Sequence, residues 1–126
     1  MKIKVFVFLF IFLLVPEISF STIYNPTKEI ETKLIVLSLA NVPMYGQKDF
    51  VLITAKSESS DKVFVLEVSP RWFLKEEFFN KIRPNRKILV IGSLSEKNWI
   101  VVRKITSDEY SIILRTKQGF PLWRVN

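Results

Sequence analysis

The chain has no cysteine and no histidine among its 126 residues, and only three glycines. The first absence excludes disulfides, thiolate metal sites and thiol chemistry. The second removes the commonest metal ligand and the commonest general base near neutral pH. With glycine confined to Gly46, Gly92 and Gly119, there is no glycine-rich loop to cradle a phosphate. Facing carboxylates are lacking too. Glu76 and Glu77 are neighbours on an expected helix and so point about 100° apart, and Asp49, Asp61 and Asp108 read as turn residues. These gaps point away from an enzyme and leave no cofactor or metal to expect. Apolar burial alone must hold the fold, as it does in domains of this size.

What is present starts at the first residue. Met1-Lys2-Ile3-Lys4 carries two positive charges, Val5 to Val15 is an unbroken apolar run, and Pro16 ends it. Ser19-Phe20-Ser21 then puts small residues at the −3 and −1 positions of a cut after Ser21. This is the pattern of a secretory signal peptide, and the run is shorter than the ~20 residues of a spanning helix. The expected organisation is a signal peptide over 1–21, a flexible leader over 22–32 and one domain over 33–126. The expected location is outside the cytoplasm, periplasmic or extracellular, with membrane contact only through the signal segment if it stays uncleaved. The net charge is +7. Loss of Lys2, Lys4 and Glu17 leaves 17 basic and 11 acidic residues, or +6. That charge suits an anionic partner, and it equally serves plain solubility.

Runs rich in β-formers follow at Lys33 to Ala40, Asp49 to Lys56 and Lys62 to Val68, separated by turn-like Asn41–Gly46 and Ser57–Asp61. Ser69-Pro70 reads as a helix start, with serine as N-cap and proline at the first helical position. Arg71 to Ile82 carries Leu74, Phe78 and Ile82 at a spacing of four, an amphipathic helix of about three turns. Three more β runs occupy Lys87 to Leu94, Asn98 to Thr106 and Glu109 to Thr116. The fold class is mostly β: a small OB-like barrel of order β-β-β-α-β-β with an extra C-terminal strand. The alternative is an open antiparallel α+β sheet.

Three segments are more distinctive than the strand order: Ser69-Pro70-Arg71-Trp72-Phe73-Leu74, Val90-Ile91-Gly92-Ser93, and Arg115 to Trp123 with its Gly119-Phe120-Pro121-Leu122-Trp123 ending. Together they resemble a group of small exported bacterial OB-fold-like proteins of largely uncharacterised function. The resemblance implies a fold and a location rather than an activity. Ser69 stands where the group has glycine before the proline, and Asn85-Arg86 stands where it has a Gly-Asp turn. Asparagine takes the left-handed backbone such a turn needs.

Trp99 and Arg103, two strand steps apart on one face with Val101, are the leading ligand-contact candidates. Arg71, Trp72, Arg115 and Trp123 extend the set, with Phe120 a further large aromatic near an element end. Tryptophans stack on sugars or bases, and arginines clamp carboxylates or phosphates. The competing reading makes Trp72 and Trp123 plugs at the barrel ends and leaves the arginines outward and solvated. Lys81, Arg83, Arg86 and Lys87 gather positive charge into an anionic docking surface, or simply a solvated helix end. The expected function is an exported, non-enzymatic binding or accessory module of the cell envelope. Its partner would be an envelope protein or an anionic oligomer. A structural subunit that pairs by a strand or an apolar patch is the alternative. Single-stranded nucleic acid is permitted by fold and charge and opposed by the export signal.

Overall fold

Six strands form along residues 24–124, the stretch that the computed structural model describes. The expected signal peptide over 1–21 lies outside these residues. The strands are β1 (Glu29–Met44), β2 (Gln47–Ser57), β3 (Val63–Pro70), β4 (Lys87–Ser95), β5 (Trp99–Ser107) and β6 (Tyr110–Ile113). One short helix, α1 (Glu76–Lys81), lies between β3 and β4. The sheet order is β3-β2-β1-β4-β5-β6, and β3 also pairs with β5. That added pairing joins β1, β2, β3, β5 and β4 into a ring, a near-barrel. The OB-like order expected from the sequence is the one observed, and the ring removes the open-sheet alternative.

β1 makes this closure possible through its length of 16 residues. Its first part, Glu29 to Ile35, pairs with β4, and Leu34 to Met44 pairs with β2. A register shift between Val36 and Ser38 bends it where the two pairings hand over. The turn before β4 is tied into that bend. Asn85 N–H donates to Val36 O at 2.7 Å, and Val36 N–H donates to Arg86 O at 2.9 Å. Asn85 has φ 74°, the left-handed conformation expected of it.

Element boundaries differ from expectation in three places. The barrel starts at Glu29 rather than Lys33, and Tyr24 is already buried, so most of the stretch read as leader is structured. Ser69 and Pro70 do not start a helix. They end β3, opposite Val51 and Phe50, and proline at a strand end has no ladder bond to lose. Arg71–Phe73 forms one 3-10 turn, and α1 is six residues with Lys75 at its N-cap. The Leu74, Phe78 and Ile82 stripe is buried all the same. β6 ends at Ile113, after which Leu114 is fully buried and Arg115 makes only an isolated bridge to Pro121.

Side chains alternate between two covered faces. Val51 and Ile53, Leu66 and Val68, Ile100 and Val102 point into the ring with Leu34, Val90, Phe78 and Leu114. Phe50 and Leu52, Val65, Trp99 and Val101 point the other way, against Tyr24, Val42, Met44 and Trp123. Strands that read as apolar on both sides are thus buried on both sides. At Gly92 the strands approach so closely that a Cβ would lie 2.5 Å from Val101 O.

Candidate functional site

The parallel pairing of β3 and β5 ends at Glu67 opposite Val101. Just beyond, both strands carry an extra residue: Val68 faces no partner on β2, and Arg103 none on β4. Such bulges splay a ladder and leave carbonyls without their usual donors. The Arg115 guanidinium fills the opening. Its Nη1 donates to Val102 O, to Val68 O at 3.3 Å and to Glu67 O at 3.4 Å. Its Nη2 lies 3.5 Å from Glu67 Oε2. Glu67 Oε1 accepts from the Trp99 indole and from the Tyr45 hydroxyl, both at 3.0 Å. The guanidinium stacks over Trp123, 4.8 Å from the ring centroid.

Glu67 and Arg115 are 2% and 4% exposed, so the pair is fully withdrawn from water. Burial pushes the Glu67 carboxyl up, against the pull of Arg115, Trp99 and Tyr45. Burial likewise lowers Arg115, against the pull of Glu67. Desolvation outweighing attraction is usual for buried pairs, and removing one partner is far worse than keeping both. With donors on Glu67 Oε1 and the guanidinium beside Oε2, this cluster anchors the Arg115 segment where the β3–β5 ladder ends.

A second cluster ties the start of the described chain to β5. Arg103 donates to Glu29 through Nε at 2.8 Å and Nη2 at 2.9 Å, a bidentate pair. The Tyr24 hydroxyl donates to the same carboxylate. Arg103 holds the Glu29 carboxyl below its ordinary range. Burial, then the Glu29 carboxylate, pushes the Tyr24 phenol up to about 12. Gly119, with φ 95°, lies so close that a Cβ there would collide with Tyr24.

These clusters decide where the sequence candidates stand. Trp99 is 6% exposed with its N–H committed to Glu67, and Arg103 is committed to Glu29. The face they were expected to offer is covered by Tyr24 and Trp123. Arg115, Trp99 and Trp123 are brought together, around Glu67. Trp123 acts as the expected plug, packing against both apolar clusters. Trp72 does not: it is 64% exposed, and its Nε1 donates to Gln47 Oε1 at 3.0 Å. Arg71 turns away from it onto Phe79, 4.3 Å from the ring centroid. Phe120 is also exposed.

Trp72 is nevertheless firmly mounted. It meets Phe73 edge-on at 6.2 Å, Phe73 meets Trp123 at 5.9 Å, Trp123 meets Phe50 at 5.9 Å, and Phe50 meets Tyr45 at 5.4 Å. This row of rings runs from the exposed indole to the turn between β1 and β2. In the basic group, Arg86 lies 3.9 Å from Asp108 and Lys87 lies 3.2 Å from Glu58, while Lys81 and Arg83 are exposed. Half of that positive charge is locally offset.

Sequence reasoning missed Glu67, Tyr45, Gln47, Glu29 and Tyr24. Only Glu67 carried a signal, as a lone carboxylate inside the apolar run Val63-Phe64-Val65-Leu66-Glu67-Val68. Among the described residues no group of three Asp or Glu is placed to hold a metal ion. Comparison with family models, with curated proteins and with solved structures returns no match.

Proposed function

We propose that this protein is an exported, non-enzymatic binding domain of the bacterial cell envelope, and that it holds a protein partner through Trp72. The observation that carries the reading is a tryptophan 64% exposed yet held at its N–H by Gln47 and at its edge by Phe73. A large ring that is already ordered loses little side-chain entropy on binding, and tryptophan is enriched among residues that dominate interfaces. The engagement of Arg103 by Glu29 and the burial of Trp99 weaken the rival reading, a nucleic-acid face on β5. Export rests on the first 21 residues of the sequence, and the envelope setting on the resemblance of the Pro70–Leu74 and Arg115–Trp123 segments.

The test is a quantitative pull-down of the tagged protein from its native envelope fraction, with wild type and Trp72→Ala compared side by side. The expected loss for the variant is about 2 kcal/mol or more, roughly thirtyfold in affinity, with thermal stability unchanged. Equal capture of the same partner by both proteins would refute the Trp72 surface.

A further inference from the structure

The segment after Leu114 covers much of the second face, yet it is folded largely on itself. Thr116 N–H donates to Phe120 O at 2.9 Å, Gly119 N–H to Thr116 O at 2.8 Å, and Leu122 N–H to Leu114 O at 3.0 Å. Phe120 N–H donates to Thr116 Oγ1 at 3.0 Å, and Arg124 N–H to Pro121 O at 3.2 Å. Lys117, Gln118, Phe120 and Arg124 are exposed. The ties to the rest of the protein run through a handful of residues: the Arg115 guanidinium, the Trp123 ring, which packs against both apolar clusters, Gly119 against Tyr24, the charge of Lys117 near Glu29, and a long backbone bond from Arg115 N–H to Arg103 O at 3.4 Å. Leu114, by contrast, is rooted in the interior and bonded to Arg103 O at 2.7 Å.

The seat that receives Arg115 is built almost entirely by other elements. Its carbonyls belong to β3 and β5, its carboxylate to β3, and the groups that orient the carboxylate to β5 and the β1–β2 turn. A planar fork of donors fits such a ring of acceptors, and a compact ammonium does not. Seating the guanidinium sets a desolvation cost against its attraction to Glu67 and its hydrogen bonds to three carbonyls. A contact balanced in that way holds a segment without fixing it permanently. Segments with few buried contacts open locally, at free energies below that of global unfolding.

We propose that residues 115–124 form a detachable strap latched by Arg115, which swings about Leu114 and uncovers the second face while the five-stranded ring stays closed. β3 and β5 also pair directly, through Val65, Leu66 and Glu67. The strap touches the mounting of Trp72 through the contact of Trp123 with Phe73, and amide exchange and partner capture read the two separately.

Native-state hydrogen exchange on the full chain tests it. The amides of Thr116, Gly119, Phe120 and Leu122 are expected to exchange at least tenfold faster than those of the β1–β2 ladder, by an opening that leaves the ladder protected. Arg115→Ala is expected to speed the strap amides a further tenfold or more. Millimolar guanidinium chloride is expected to slow them again by filling the empty seat, whereas ammonium chloride at equal concentration does not. Should Arg115→Ala fail to fold, the wild-type pattern decides together with Trp123→Ala, which must quicken the strap amides alone. Strap and ladder amides exchanging together at one rate would overturn the strap. Failure of guanidinium to restore protection in a folded Arg115→Ala would overturn the latch.

Discussion

On one side of β2, β3 and β5, the side chains of Val51, Leu66 and Ile100 sit in a large apolar cluster. On the other side, Phe50, Leu52 and Trp99 share their space with a buried carboxylate and a buried guanidinium. The first face is closed by the ring's own strands and by α1. The second is closed by the two ends of the described chain, through Tyr24 and the segment from Arg115 to Trp123. Hydrophobic attraction is non-directional, so it fills the ring interior well, where the strands already fix the geometry. A loop laid over a sheet face has no such frame. There the directional contacts of Arg115 supply the register.

The sharpest way to break this comparison is to hollow the interior. Phe78 is fully buried in the ring, and Phe78→Ala is expected to lose about 3–5 kcal/mol in urea unfolding, with one cooperative transition. The second face is expected to respond differently. Arg115→Met alone strands Glu67 as an unpaired buried charge and is expected to cost roughly 3 kcal/mol or more. Combining it with Glu67→Leu is expected to recover most of that loss, because replacing both charges by apolar groups is often close to neutral. A double variant as unstable as the two single losses added would show that the pair itself, rather than its balance, supports the fold.

The N-terminal cluster sharpens the comparison through pH. Glu29 is held below its ordinary value of 4.5 by Arg103, so its contribution is present above the unfolded value and is lost as pH falls through the folded one. Unfolding midpoints measured downward from pH 6 are expected to drop in wild type, with a shallower slope in Glu29→Gln. Trp72→Ala gives the smallest effect. Its stability is expected to stay within about 0.5 kcal/mol of wild type by thermal melting, since only the exposed indole is removed.

The strand order was legible because β-forming runs are separated by turn residues, and because Asn85 accepts the left-handed turn before β4. The helix start was not legible. Ser69-Pro70 carries a valid local capping signal, and only the pairing of those residues with Val51 and Phe50 overrides it. The candidate site was half legible. Arg115, Trp99 and Trp123 stand out as residue types, but what they do depends on Glu67, which lies 48 positions from Arg115 along the chain. No local pattern links the two. The exposure of Trp72 follows from where β3 ends, and that too is a tertiary outcome.

The placement of the cover has a consequence in time. A chain is made from its N-terminus, so the strands bearing Phe50, Leu52 and Trp99 exist well before Arg115 and Trp123 emerge to cover them. Until then the side bearing Phe50, Leu52 and Trp99 lacks the cover it has in the complete fold. This favours the company of factors that mask apolar surface until the cover forms. A chain cut short just before Arg115 would keep all six strands and lose the cover that Arg115 and Trp123 supply.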